Sequence, residues 1–292
     1  MDVIVVQKLA KLEVLRREGE ERVERLRAVD AALLERLEES AARHHEARER
    51  VVDDLARLGF GVRSVSRDAF EGPGDDAAIV VAVGGDGTVL DVSHRVEGVP
   101  LLGVNSDPDR SRGYFCGTDI DGFAETIRRW RDREAETVTL RRMSIWLDGE
   151  RVPYPCLNDV LVANNNPAMM SRYILSAGTR SEVQASSGVW ISTPAGSTAG
   201  IRSAGGTVLP LDGDMLQYLV REPYVSGFHR FELSRGVRHL GEGLTVRSLM
   251  EGGALFIDGP YLTLPFPTGS EMSLRDGPTL ELVAMDPHRR ER

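Results

Sequence analysis

The stretch Ala77-Ala78-Ile79-Val80-Val81-Ala82-Val83, running into Gly84-Gly85-Asp86-Gly87-Thr88, constrains this chain more than any other. An uncharged apolar run of this length, rich in Val and Ile, reads as a strand buried on both faces, the signature of a parallel sheet. It stops at a glycine cluster holding one carboxylate. Val89-Leu90-Asp91-Val92-Ser93-His94 then reads as the start of a helix, with Thr88 as its N-cap. Strand, glycine turn and helix together point backbone N–H groups at a phosphate, and glycine lets the backbone come close with no side chain in the way. A carboxylate such as Asp86 belongs beside phosphates only if it takes a proton or holds a cation. The same string also makes an ordinary tight turn.

Composition narrows the partners. The 292 residues are 41% hydrophobic and 28% charged, enough for one large domain or two moderate ones. A net charge of −9 and no basic face argue against nucleic acid as a partner. No apolar run approaches the roughly 18 residues of a membrane span, and no leader pattern opens the chain, so the expectation is a soluble cytoplasmic protein without membrane contact. Cys116 and Cys156 have no metal or redox spacing; buried free thiols are expected, with a bridge left open. Lys8 and Lys11 are the only lysines, every other basic residue being arginine. Neither follows a glycine loop, which excludes a Walker A or protein-kinase arrangement. Phosphate would have to be handled by backbone amides, arginine and a metal ion.

Taken in order, Asp2-Val3-Ile4-Val5-Val6 is a first strand, and about Leu9 to Leu58 is helical. This is one helix or two broken near Gly19 or Asp30, with a solvated charged face or a coiled-coil role. His44 and His45, about 100° apart on a helix, do not share a metal. Gly59-Phe60-Gly61 ends the helix, Val62 to Val65 is a second strand, and Val99 to Asn105 follows the central strand and its helix as another. Such a βαβ series places ligands beyond the strand C-terminal ends, where Gly84 to Thr88 and Asn105 lie. Arg110 and Arg112 are either phosphate contacts or a solvated pair. Phe123, Ile127 and Trp130 mark an amphipathic helix with Trp130 in the core. From about Glu136 short strands alternate with turns, including an Asp148-Gly149 hairpin. The expected domains are 1–134, α/β with a parallel sheet, and 135–292, of stacked antiparallel sheets, with the last residues free to pack back on the first domain and Pro287 to Arg292 frayed.

Gly84-Gly85-Asp86-Gly87-Thr88 resembles the glycine turn of the NAD kinase family, which diacylglycerol and sphingosine kinases share and phosphofructokinases vary. Asn158-Asp159 is similar to that family's Asn-acidic pair. Ser187-Gly188-Val189-Trp190-Ile191-Ser192-Thr193-Pro194-Ala195-Gly196-Ser197-Thr198-Ala199, continued by Ser203-Ala204-Gly205-Gly206, resembles its long signature, and Phe256-Ile257-Asp258-Gly259 a later Asp-Gly. The likeness is closer to the mitochondrial-type branch. It implies transfer of the ATP γ-phosphate to the adenosine ribose 2′-hydroxyl of NAD, with Mg²⁺. Asp86 would take the proton and Gly84, Gly85, Gly87, Thr88 and Asn105 would face the nucleotide. Asn158 and Asp159 would orient the NAD, and Ser197, Thr198 and Ala199 would line the pocket. It also implies a dimer or tetramer of identical chains. Three positions depart: Ser187 stands for the family's Asp, Ala195 for a Thr and Gly200 for a Tyr. A diacylglycerol-type lipid kinase and a non-catalytic dinucleotide-binding regulator are the alternatives.

Overall fold

The structure, a computed structural model, describes residues 1–224, 231–260 and 262–290. The chain forms two compact units, Met1–Val138 with Glu281–Arg292, and Thr139–Leu280. The first holds β1 (Asp2–Gln7), α1 (Lys11–Arg17), α2 (Glu20–Val29), α3 (Ala31–Arg57), β2 (Gly61–Ser66), β3 (Ala77–Gly84), α4 (Asp86–Ser93), β4 (Leu101–Asn105), β5 (Cys116–Asp119) and α5 (Phe123–Arg131). The chain leaves it within β6 (Thr137–Leu140). The second contains β7 (Met143–Leu147), β8 (Glu150–Arg151), β9 (Asp159–Asn164), β10 (Ser171–Ala177), β11 (Arg180–Ser186), β12 (Val189–Ser192), α6 (Gly200–Ser203), β13 (Met215–Val220), β14 (Arg235–His239), β15 (Leu244–Ser248), β16 (Gly253–Ile257), β17 (Leu262–Pro265) and β18 (Glu271–Asp276). β19 (Leu280–Val283) returns to the first.

The uncharged run becomes β3, central in a seven-stranded sheet of order β2-β1-β3-β4-β19-β6, with β5 added on β4. β1 pairs in parallel with β2 and β3, and β4 with β3, β5 and β19. Both faces are covered, which is why the run carries no polar alternation. Val3, Val5, Ile79, Val81, Val83, Leu102 and Val104 pack with Ala47, Val51 and Leu55 of α3 and Phe123 and Ile127 of α5. On the other face Ile4, Val6, Val80 and Ala82 are buried, and Val89 of α4 sits so close to Gly103 that a Cβ there would stand 2.8 Å from it. Trp130 packs at the margin of the first cluster, as its helical spacing implies.

The helical region breaks twice. Gly19 takes a φ of 134°, and Asp30 caps α3 by accepting the Leu33 N–H at 2.9 Å. Leu12, Val23 and Leu34, flanked by Leu15, Leu26 and Leu37, pack on one another across α1, α2 and α3. Leu12, Leu15, Leu26, Leu34 and Leu37 are thus spent on this cluster, while Leu33 stays exposed.

The second unit is a sandwich. Its two six-stranded sheets run β11-β10-β15-β18-β7-β8 and β14-β13-β12-β9-β16-β17, with antiparallel pairs throughout. Tyr173, Leu175, Val246, Met272 and Leu274 of the first sheet meet Val160, Val162, Val189, Ile191, Leu255 and Ile257 of the second in one core. Asp148 and Gly149 have φ of 53° and 86°, which close β7 onto β8 as an Asp-Gly hairpin must. Leu282 of β19 pairs with Leu101, so the closing segment belongs to the parallel sheet rather than to the sandwich. Pro287–Arg290 makes a short 3-10 turn, while residues 291–292 of the expected frayed tail lie outside the described residues. Cys116 and Cys156 are buried free thiols.

Candidate active site

In the first unit the glycine turn stands where β3 ends. The helix begins three residues earlier than the sequence suggests: Gly85 is the N-cap and Asp86 the first helical residue. Thr88 therefore does not cap. It lies in the first turn, buried, with its hydroxyl unpartnered among the described residues and folded against Gly84. A Cβ on Gly84 would stand 2.2 Å from Thr88 Oγ1, so only glycine admits this approach. Gly87 is exposed, with open space around its Cα. Asp86 is half-buried, and its Oδ1 accepts the Phe115 backbone N–H at 2.8 Å. Among the described residues no donor reaches its other oxygen.

Asn105 ends β4 beside Gly84, its register partner. Its side chain is occupied, donating to the Ser111 carbonyl at 2.9 Å and accepting from the Asp107 N–H at 3.2 Å. That pins the loop after β4, whose Ser111 side chain lies against Gly85. α3 holds the same loop from outside. Ser40 donates to Asp107, Arg43 pairs with Asp107 and Asp109, and Arg110 pairs with Glu39. Arg110 is thus paired with a carboxylate at the surface rather than standing as a lone solvated cation. His44 completes the clamp. Its Nε2 lies 2.9 Å from the Lys8 carbonyl, which can only accept, so Nδ1 accepts from the Ser106 hydroxyl at 3.0 Å. Burial lowers the His44 pKa, which suits this neutral tautomer.

Sequence reasoning missed Lys8. Gln7 pairs with Val83, so Lys8 follows β1 in step with Gly84 at the strand end next to the glycine turn. Its ammonium pKa is lowered, first by burial and then by Lys11 and Arg67. The adjacency of β1 and β3, which a βαβ reading already implies, was the signal that could have found it.

In the second unit two distant motifs come together. Thr193 donates its N–H to the Asn158 carbonyl at 3.0 Å and its hydroxyl to the Leu157 carbonyl at 2.6 Å. Gly196 seats the turn on Asn158 so closely that a Cβ would stand 1.9 Å from the Asn158 carbonyl oxygen. Gly196→Ala is therefore expected to push the two motifs apart, with destabilisation of about 1–3 kcal/mol by overpacking. Denaturant unfolding measures it, and unchanged stability would mean the turn moves freely. Ser197 is buried, its hydroxyl donating to the Pro194 carbonyl at 2.7 Å and accepting the Leu209 N–H at 3.0 Å. Thr198 and Ala199 are partly exposed.

Asp159 and Ser192 are register partners on β9 and β12, on the sheet face opposite the sandwich core. Both are buried; among the described residues the Ser192 hydroxyl has no partner and no donor reaches the Asp159 carboxylate. Burial, and then the neighbouring Asp258 charge, push the Asp159 carboxyl up to about 7. A buried polar pair with its capacity unspent is suited to a ligand's hydroxyl groups. Gly200 also finds its reason here. A Cβ at that position would stand 3.1 Å from the Trp190 indole, which fills the space a larger residue would need.

Neither unit uses a Walker lysine, and the turn after β3 offers amides and a carboxylate instead. The class this defines is a phosphotransferase with an alcohol as acceptor. The chain matches the ATP-NAD kinase N-terminal domain over residues 12–128. A probable NADH kinase of Oryza sativa subsp. japonica is 31% identical over 281 residues, 88% of this chain and 86% of that protein. Two solved structures share the fold. A crystal structure of an NAD kinase from Archaeoglobus fulgidus in complex with ATP has a TM-score of 0.66 at 18% identity, over 99% of this chain and 95% of that one. The yeast NADH kinase complexed with NADH has a TM-score of 0.73 at 14% identity, over 99% and 85%. The chain belongs to the NAD kinase family.

Proposed function

We propose that this enzyme transfers the γ-phosphoryl group of ATP to the adenosine ribose 2′-hydroxyl of NAD, giving NADP and ADP. Asp86 takes the hydroxyl proton. The ribose oxygen bonds to the γ-phosphorus as the bond from that phosphorus to the β–γ bridging oxygen breaks, and ADP leaves with the electron pair. The observation that carries this reading is the Asp86 carboxylate, set at the first residue of α4 with one oxygen held by the Phe115 N–H. The glycine turn of Gly84, Gly85 and Gly87 faces the phosphates, the Thr88 N–H being spent on the Gly85 carbonyl at 2.8 Å, with Lys8 adding positive charge at the same strand ends. Asn105 keeps the neighbouring loop in place. In the second unit Asn158 and Asp159 orient the NAD, and Thr198 and Ala199 line its pocket over the buried Ser197.

Among the described residues no three His, Cys, Asp or Glu gather as a metal cage. Mg²⁺ takes few protein carboxylates and is held largely by substrate phosphates and water, so here it would sit on the ATP phosphates and leave Asp86 free for the proton. When bound, the ion would neutralise charge on the phosphate oxygens. The reading further includes a homo-oligomer, dimeric or tetrameric, located in the cytoplasm. Among the described residues no helix is long and apolar enough to cross a membrane.

The test is direct. Incubation with ATP, Mg²⁺ and NAD or NADH is expected to yield the 2′-phosphorylated dinucleotide, with one ADP per product, read by an NADP-specific dehydrogenase. Binding of NAD without ATP consumption would leave a non-catalytic regulator. Phosphorylation of diacylglycerol in place of NAD would make it a lipid kinase.

A further inference from the structure

Asp258 lies 99 residues beyond Asp159 in sequence, yet its carboxylate collects the donors of the whole Cys156–Asp159 turn. Oδ1 accepts from Cys156 Sγ at 3.1 Å, from the Asn158 N–H at 2.6 Å and from the Asp159 N–H at 3.0 Å. Oδ2 accepts from the Leu157 N–H at 2.8 Å. The Asp258 N–H returns a bond to the Asp159 carbonyl at 2.8 Å. Its backbone takes a φ of 50°, a left-handed conformation that non-glycine residues adopt at a cost and that Asp and Asn bear best. The group is buried. Charge-assisted bonds from three successive amides fix that turn far more firmly than neutral acceptors could.

We propose that Asp258 is a positioning residue of the dinucleotide site: its carboxylate fixes the Asn158-Asp159 turn in the conformation that meets the ribose and brings a negative charge beside Asp159. The proposal rests on the reading of Asn158 and Asp159 as the NAD-holding pair. The groups facing Asp159 are Asp258 beyond β16, Cys156 ahead of β9 and Ser192 across the register on β12. Burial pushes the Cys156 thiol well up, so it stays neutral, and Ser192 is a hydroxyl; Asp258 brings the charge. Ionised Asp159 accepts from ribose hydroxyls, whereas protonated Asp159 gives up part of that capacity. NAD binding should therefore weaken as pH falls through about 7.

Asp258→Asn tests this, because Asn keeps the shape and bears the same φ, while its amide offers one acceptor oxygen and turns an NH₂ toward N–H donors. KM for NAD is expected to rise about tenfold or more, with kcat and KM for ATP within about threefold. The acid midpoint of NAD binding should move to lower pH, which a merely structural defect would not produce. A fall in kcat at unchanged KM for NAD, or an unmoved midpoint, overturns the proposal. If the variant does not fold, NAD binding by the wild type and by Asp159→Asn decides. The wild type should lose affinity below about pH 7 and Asp159→Asn should be insensitive; a flat wild-type curve, or a titration retained in Asp159→Asn, overturns it. A wild type that phosphorylates NAD but shows either result retains the kinase reading and loses only this one. A wild type that binds no NAD loses both.

Discussion

Asp86→Asn is expected to lower kcat by about 10²–10⁴-fold while NAD and ATP still bind, the range over which a positioned proton acceptor contributes. The variant isolates proton transfer for a structural reason. Asn has nearly the same shape, its carbonyl oxygen can still accept the Phe115 N–H that holds Oδ1 at 2.8 Å, and the first turn of α4 need not shift. Gly84, which admits no larger residue against Thr88, keeps the turn in place. What is lost is basicity at an atom that a ribose hydroxyl must reach. Removing a negative charge near phosphates also relieves repulsion, so the KM for ATP should stay level or fall. Initial rates with both substrates varied, together with calorimetric NAD binding, measure this. A variant that turns over within about threefold of the wild type would show that Asp86 is not the base.

How much of this was legible before the fold was known depended on distance along the chain. The β3 run, its glycine turn and α4 are contiguous, and burial on both faces writes itself as an uncharged string; these could be read directly. The helix start was misplaced by three residues because Gly85 caps with its backbone alone, leaving the hydroxyl of Thr88 as a more obvious but wrong signal. Two helix breaks occurred where at most one was expected, since Gly19 turns by its φ and Asp30 by its side chain, independent devices that do not compete. In the second unit the Asn158-Asp159 pair and the Ser192–Ala199 stretch could each be noticed, yet nothing in either says that Gly196 lies on the Asn158 backbone. Asp258 was visible as an Asp-Gly and silent about its role, because its four donors lie about a hundred residues away. Gly200 read as a loss; with the fold in view it is the space that Trp190 requires.

Asp159→Asn should make the free enzyme more stable and a poorer NAD binder at once. Burial and the Asp258 charge raise the Asp159 carboxyl to about 7 in the folded state, against an unfolded value near 3.8. The folded state therefore binds the proton more tightly than the unfolded chain does. Between those two values stability falls as pH rises, and above about 7 the full cost of holding an unpaired buried carboxylate is present. Asn carries no charge at any pH, and no donor among the described residues is left stranded by the exchange. The variant should gain roughly 2–4 kcal/mol over the wild type near pH 8, a gain that shrinks toward zero near pH 4. Urea unfolding of both proteins across that range measures the difference. Its affinity for NAD should drop about 10–100-fold, the worth of a hydrogen bond to a charged group. A structural residue would lose stability on replacement, whereas one kept for its ligand gains it, since the strain serves binding rather than folding. A difference in stability that does not vary with pH would mean that Asp159 is solvated in the folded protein and that its carboxyl is not held in readiness for a sugar.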